Sequence, residues 1–126
     1  MPSPYRPIRV EQVGGYKKLL DYYMENKYTL RYCGGLVPDI YQQFTKCMGV
    51  FTNPTSDKSP AKLRMAFEAA PWGLLVEKAG GKTSDGVTGG SVLDVPILTV
   101  DQRCAIAIGS ANEVDRFNEF VLGLKK

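Results

Sequence analysis

The sequence predicts an α/β fold: a mixed sheet flanked by helices in an α-β-α layered arrangement. Two observations carry this. Segments with apolar residues at 3- and 4-residue spacing alternate with short runs of β-forming residues. Stretches rich in Gly, Pro, Ser and Asp separate them, so helices and strands interleave along the chain. A length of 126 residues, with 44% hydrophobic and 23% charged residues, suits a single core. It is too short for a second, separate catalytic domain.

The elements follow in order. Residues 1–13 are Pro-rich at their start and predicted as an irregular arm; residues 14–126 form the domain. Tyr16 to Lys27 reads as a helix with Leu19, Leu20, Tyr23 and Met24 on its apolar face. Tyr28 to Tyr32 is rich in β-formers and predicts a short strand, broken by Gly34-Gly35. Pro38-Asp39 suits the first turn of a helix running to about Lys46, where Pro costs nothing and Asp faces the positive end of the dipole. Gly49 ends that helix and Val50 to Asn53 predicts a strand. Pro54 to Ala61 is a loop. Lys62 to Ala79 predicts a helix with Leu63, Phe67, Ala70, Leu74 and Leu75 on one face, kinked or broken before Pro71. Gly80-Gly81 stops it, and Ser84 to Ser91 is turn-rich. Ala105 to Ile108 predicts a buried strand. Ser110 to Glu113 has the capping-box pattern, opening a last helix with Val114, Phe117 and Val121 inward.

Composition narrows the function. No apolar run approaches the about 18 residues of a membrane span, and the first residues lack a signal-peptide core. A soluble, non-secreted chain, or a piece cut from a longer precursor, is expected. A net charge of +3 suits an anionic small ligand and is too diffuse to argue for nucleic acid. Histidine is absent, which removes Ser-His and Cys-His nucleophile pairs and His metal ligands from this chain. The three cysteines, Cys33, Cys47 and Cys104, have no CxxC spacing and read as reduced thiols.

Four features bear chemistry. Arg31-Tyr32 ends a predicted strand before Gly34-Gly35, whose backbone N–H groups can approach an anion closely. The pattern fits a phosphate or sugar pocket, or a plain β-turn with a surface Arg. Lys62 and Arg64 point the same way where the backbone is extended, which suits a phosphate monoester; the alternative is a solvated helix start. Glu68 alone cannot satisfy Mg²⁺, which takes octahedral oxygen ligands, so spacing favours a surface or salt-bridged role. The carboxylates of Asp39, Asp57, Asp85, Asp94 and Asp101 fall in separate turns, and Asp85-Gly86 reads as a turn. Cys33 lies near Arg31, which can lower a thiol's pKa, but an ordinary thiol is expected. Trp72, Tyr22, Tyr23, Phe44 and Phe51 have the spacing of packing aromatics.

Several ordered segments together resemble a known family: Tyr28 to Asp39 (YTLRYCGGLVPD), Gly49 to Asn53 (GVFTN), Lys62 to Pro71 (KLRMAFEAAP), Glu77 to Gly81 (EKAGG), Val92 to Asp94 (VLD) and Gly109-Ser110. Over about residues 14–122 the chain is similar to the carboxy-terminal domain of the fructose-1,6-bisphosphatase class. Within that class the similarity is greatest to sedoheptulose-1,7-bisphosphatases. The resemblance implies a Mg²⁺-dependent sugar bisphosphatase of carbohydrate metabolism, including the Calvin cycle. Its location would be cytoplasm or plastid stroma, and its full-length form a dimer or tetramer. It implies that Tyr32 contacts the distal phosphate while Arg31 reaches a neighbouring subunit's site. Gly34 and Gly35 match the turn after that pair. Lys62 binds the sugar phosphate, Arg64 lies near the reacting end, and Glu68 ligates Mg²⁺. A family Tyr falls at Asn53 here, as in the sedoheptulose enzymes. The family's D-P-x-D-G-[ST] metal-binding segment is absent, so no catalytic residue is assigned and the isolated chain is expected to be inactive. Hydrolysis of the 1-phosphate of sedoheptulose 1,7-bisphosphate is the leading reading. A fructose-1,6-bisphosphatase or dual enzyme, and a non-catalytic sugar-phosphate-binding or assembly module, are the alternatives.

Overall fold

The structure is a computed structural model and describes residues 14–57 and 60–124. The predicted arm, residues 1–13, lies outside them. The elements are α1 (Tyr16–Glu25), α2 (Leu36–Lys46), β1 (Val50–Asn53), β2 (Leu63–Arg64), a π-helical turn (Met65–Ala69), α3 (Ala70–Lys78), β3 (Lys82–Ser84), a 3₁₀ turn (Val92–Asp94), β4 (Arg103–Cys104), β5 (Ile106–Gly109) and α4 (Ala111–Leu122).

Strand β5 is the centre of the molecule. It pairs with β1 through Val50↔Gly109 to Asn53↔Ile106 and with β3 through Lys82↔Gly109 to Ser84↔Ala107. A second, two-stranded sheet pairs Leu63 with Cys104 and Arg64 with Arg103. Every pair among the described residues is antiparallel, where a mixed sheet was expected. β5 runs opposite to both of its neighbours, so each pair forms the perpendicular hydrogen bonds of an antiparallel ladder.

Side chains on successive strand residues point to opposite faces, and β5 shows the consequence. Ile106 and Ile108 pack with Ile40 of α2, Met65, Ala69, Val76 of α3 and Val92. Ala107, between them, packs with Tyr16, Leu19, Leu20 and Tyr23 of α1 and Phe117 of α4. Helices therefore cover both faces, and a strand buried on both sides reads as the unbroken apolar run AIAI. The α-β-α layering is the expected one.

Three expectations change. Residues 28–32 lie outside any helix or strand: none of the described strands pairs with them, and β-forming residues alone make no ladder. The helix expected over 62–79 is three elements. Leu63 is buried between exposed Lys62 and Arg64, a period of two, and Met65 N–H extends the β2–β4 ladder to Gln102 O at 2.8 Å. The π-helical turn follows, its Ala70 N–H reaching Met65 O five residues back. Pro71 has no N–H for the regular ladder, and the wider turn accommodates its ring. The predicted apolar face is consequently rotated. Met65, Ala69, Gly73 and Val76 are buried, whereas Phe67, Leu74 and Leu75 are exposed. Third, Ser110 sits at the N-cap of α4, but its hydroxyl accepts the Gly49 N–H at 3.2 Å and makes no cap bond. Glu113 turns away to Tyr28, so the capping box is not formed.

Candidate functional site

A cleft of about 190 Å³ opens where the 28–35 segment, the start of α2, the end of β1 and the β2–π-turn junction meet. It is lined by Tyr32, Gly34, Gly35, Leu36, Asp39, Phe51, Thr52, Asn53, Lys62, Leu63 and Glu68. Five of the sequence-predicted residues thus converge: Tyr32, Gly34, Gly35, Lys62 and Glu68. They come from segments up to 36 positions apart, so the fold assembles what the sequence only scattered.

Each is placed by a local reason. Gly34 has φ +89°, a left-handed conformation that strains any residue with a Cβ. Gly35 is extended and caps α2, whose first turn borders the cleft. A helix N-terminus presents unpaired N–H groups and the positive end of its dipole. Asp39 pins the turn by accepting the Cys33 N–H on Oδ1 at 2.7 Å. β1 delivers Asn53, and Lys62 stands immediately before β2, held by an Arg103 guanidinium hydrogen bond to the Lys62 carbonyl.

Arg64 and Glu68 form one unit at the cleft's edge. Glu68 Oε1 accepts the Arg64 N–H at 3.1 Å and lies 3.6 Å from Arg64 Nε. The Arg64 guanidinium also sits 5.6 Å from the Phe67 ring centroid. Arg64 does not line the cleft, and Arg31 is exposed beyond it. Asp39, Phe51, Thr52 and Leu36 line it without having been singled out from sequence as site residues. Asp39 carried a signal as a first-turn acid, but that pattern marks a helix start as readily as a cleft.

The thiols are separate: Cys33 and Cys47 are exposed and Cys104 is half-buried. Desolvation and the neighbouring Asp39 push the Cys33 thiol up, so Arg31 does not activate it. Among the described residues no three Cys, Asp or Glu side chains gather to hold a metal. A second cavity of about 590 Å³, lined by residues such as Val87, Val95, Pro96 and Arg103, holds none of the predicted residues and is mainly apolar.

The family described as "Fructose-1-6-bisphosphatase, C-terminal domain" matches residues 8–122. This chain belongs to that family. Its bisphosphatase relatives share both sequence and shape. The chain is 53% identical over 108 residues to the chloroplastic sedoheptulose-1,7-bisphosphatase of Chlamydomonas reinhardtii, covering 86% of this chain and 28% of that protein. It is 45% identical over 95 residues to the class 1 fructose-1,6-bisphosphatase of Geobacter sulfurreducens, covering 75% and 30%. A solved structure from Toxoplasma gondii, assigned by name as a sedoheptulose-1,7 bisphosphatase, superposes with a TM-score of 0.86 at 50% identity, covering 91% of this chain and 36% of that one. The chain therefore spans about a third or less of the length of the curated bisphosphatases it matches, from 27% to 35%. The family match also reaches back to residue 8, six residues before the resemblance read from the sequence. No described helix is long and apolar enough to cross a membrane.

Proposed function

We propose that this chain is the distal-phosphate-binding part of a Mg²⁺-dependent sugar bisphosphatase whose parent hydrolyses the 1-phosphate of sedoheptulose 1,7-bisphosphate. The observation that supports it most is the cleft itself: a Lys, a Tyr, a Gly-Gly turn and a helix N-terminus around one small space. These groups donate hydrogen bonds or positive charge, which is what a phosphate monoester requires. Tyr32 and Lys62 hold the distal phosphate, and the Gly34-Gly35 backbone lets it approach. Arg64 and Glu68, at the cleft's edge, face the reacting end. Arg31, directed outward, is available to a neighbouring subunit in a homo-oligomer. Asn53 at the cleft wall, where the family carries a Tyr, leaves more room for a seven-carbon sugar.

Glu68 offers one carboxylate, which fits one position of a Mg²⁺ site but not a complete one. The remaining ligands belong to the rest of the parent. Bound there, the metal supplies water activation and stabilisation of the leaving oxygen. The chain's own residues bind, orient and neutralise the substrate. The names of the relatives favour a plastid stroma setting for the parent.

Steady-state kinetics of the parent test this. Lys62→Ala removes a grip made equally in the ground and transition states, so KM should rise about tenfold or more with little change in kcat. Glu68→Gln should lower kcat instead. The isolated chain with excess Mg²⁺ should show no turnover. An unchanged KM in Lys62→Ala, or turnover by the isolated chain, overturns the reading. Comparison of kcat/KM for sedoheptulose and fructose bisphosphates decides the substrate, since relatives of both names match this chain.

A further inference from the structure

Among the described residues, Tyr32, Gly34 and Gly35 reach the cleft on a segment outside the strand ladders. A binding element that is competent only part of the time loses affinity by that fraction, so contacts that fix its ends matter. Both ends of this segment carry such contacts. After it, Asp39 takes the Cys33 N–H at 2.7 Å. Before it stands Tyr28. Its N–H donates to Tyr23 O at 2.9 Å, and its ring stacks on Tyr23 at 4.9 Å between centroids.

The Tyr28 hydroxyl makes the longest-range tie, donating to Glu113 Oε1 at 2.6 Å across 85 positions of sequence. Arg116, one turn along α4, donates to the same Glu113 oxygen and to the Tyr28 hydroxyl at 3.1 Å. Its guanidinium lies 4.3 Å from the Tyr22 ring centroid. Glu113 is 6% exposed. Arg116 and Tyr28 both serve its Oε1, which offsets part of the cost of burying a carboxylate, while Oε2 has no hydrogen-bond partner among the described residues. Burial, then the Glu113 carboxylate, pushes Tyr28 up to about 12, so the hydroxyl remains a donor throughout the physiological range. Glu113 also stands at the third position of α4, where a Glu ordinarily folds back on its own cap. Here that local bond is given up for a distant one.

We propose that Tyr28, Glu113 and Arg116 form a positioning clamp for the phosphate grip: they fix the origin of the 29–32 run so that Tyr32 and Gly34-Gly35 stand at the cleft before a ligand arrives. The proposal rests on the cleft's being a phosphate site. None of the three residues lines the cleft, so they act through Tyr32 and the turn.

The test is titration of this chain with inorganic phosphate, followed by the amide resonances of Tyr32, Gly34 and Lys62, beside urea unfolding of each variant. Tyr28→Phe keeps the stacked ring and removes only the hydroxyl. It should weaken phosphate binding about tenfold. Glu113→Gln, a near-isosteric second variant, should do the same, and the double variant should be no worse than either single one. Lys17→Ala, which breaks an exposed ion pair on α1, should leave affinity unchanged. A merely structural role moves the urea midpoint and leaves phosphate affinity alone. Wild-type binding matched by both clamp variants overturns the clamp and leaves the cleft reading standing. A wild-type chain whose cleft amides ignore phosphate overturns the cleft reading and the clamp with it.

Discussion

The register of the segment before Pro71 decides where Glu68 sits, and two substitutions measure it. A regular helix over 62–79 would bury Phe67; the π-helical turn buries Met65 instead, at 1% exposure against 58% for Phe67. Met65 packs against Ile106 and Ile108 of the central strand's inner face. Met65→Ala should cost about 2–5 kcal/mol, the usual range for a large-to-small change in a core. Phe67→Ala loses little beyond its approach to Arg64, worth about 0.5–1 kcal/mol at an exposed site. The gap between the two variants is then at least about 1 kcal/mol. With a urea slope of about 1–3 kcal/mol/M, it separates their midpoints by at least roughly 0.3–1 M. The single tryptophan, Trp72, packs on Phe44 at 5.9 Å between centroids beside the same core, so its fluorescence reports the transition. Equal losses, or a larger loss for Phe67→Ala, would refute the π-turn register. They would also rotate Glu68 away from the cleft, removing the geometric support for its role.

Two further outcomes rest on titrating groups. Burial acts to raise the Asp85 carboxyl, but the Thr88 hydroxyl and the N–H groups of Val87, Thr88 and Gly89 outweigh it and hold it below the usual range. A depressed carboxyl contributes stability present above its unfolded pKa of about 4 and lost as pH falls through the folded value, so the advantage should vanish in acid. The gap in urea midpoint between wild type and Asp85→Asn should therefore be open at neutral pH and narrow progressively as the pH falls below about 4; a gap that does not narrow in acid contradicts the assignment. Burial, then the Glu68 and Asp85 charges, pushes the Cys104 thiol to about 11. At pH 8 only about one part in a thousand of such a thiol is thiolate, so iodoacetamide should label exposed Cys47 well before Cys104 by peptide mass spectrometry. Comparable rates would contradict its burial.

What could be read from the residues divides along a physical line. Elements whose signal is local were legible: the 3- and 4-spaced face of α1 through Leu19, Leu20 and Tyr23, though Met24, expected on that face, is exposed at the helix end; the AIAI run of β5; and the loop breaks at Gly49 and Gly80-Gly81. Where the outcome depends on a distant partner, the residues misled. YTLRY has strand composition but pairs with none of the described strands, and Ser110 to Glu113 has a capping pattern whose two side chains are claimed by Gly49 and Tyr28. Lys62 to Arg64 falls between these cases: its strand character shows only as one buried Leu between two exposed cations, too short a period to outweigh the helical pattern after it. The candidate site follows the same rule. No spacing in the chain distinguishes Lys62 from any surface lysine, or Glu68 from a salt-bridged one, and Glu68 is in fact ion-paired with Arg64. Only ordered resemblance across separate segments named them, and only the fold put them around one cleft. The proposed clamp at Glu113 escapes local reading for the same reason: the residue carries a capping-box pattern, but the partner its carboxylate takes lies 85 positions away.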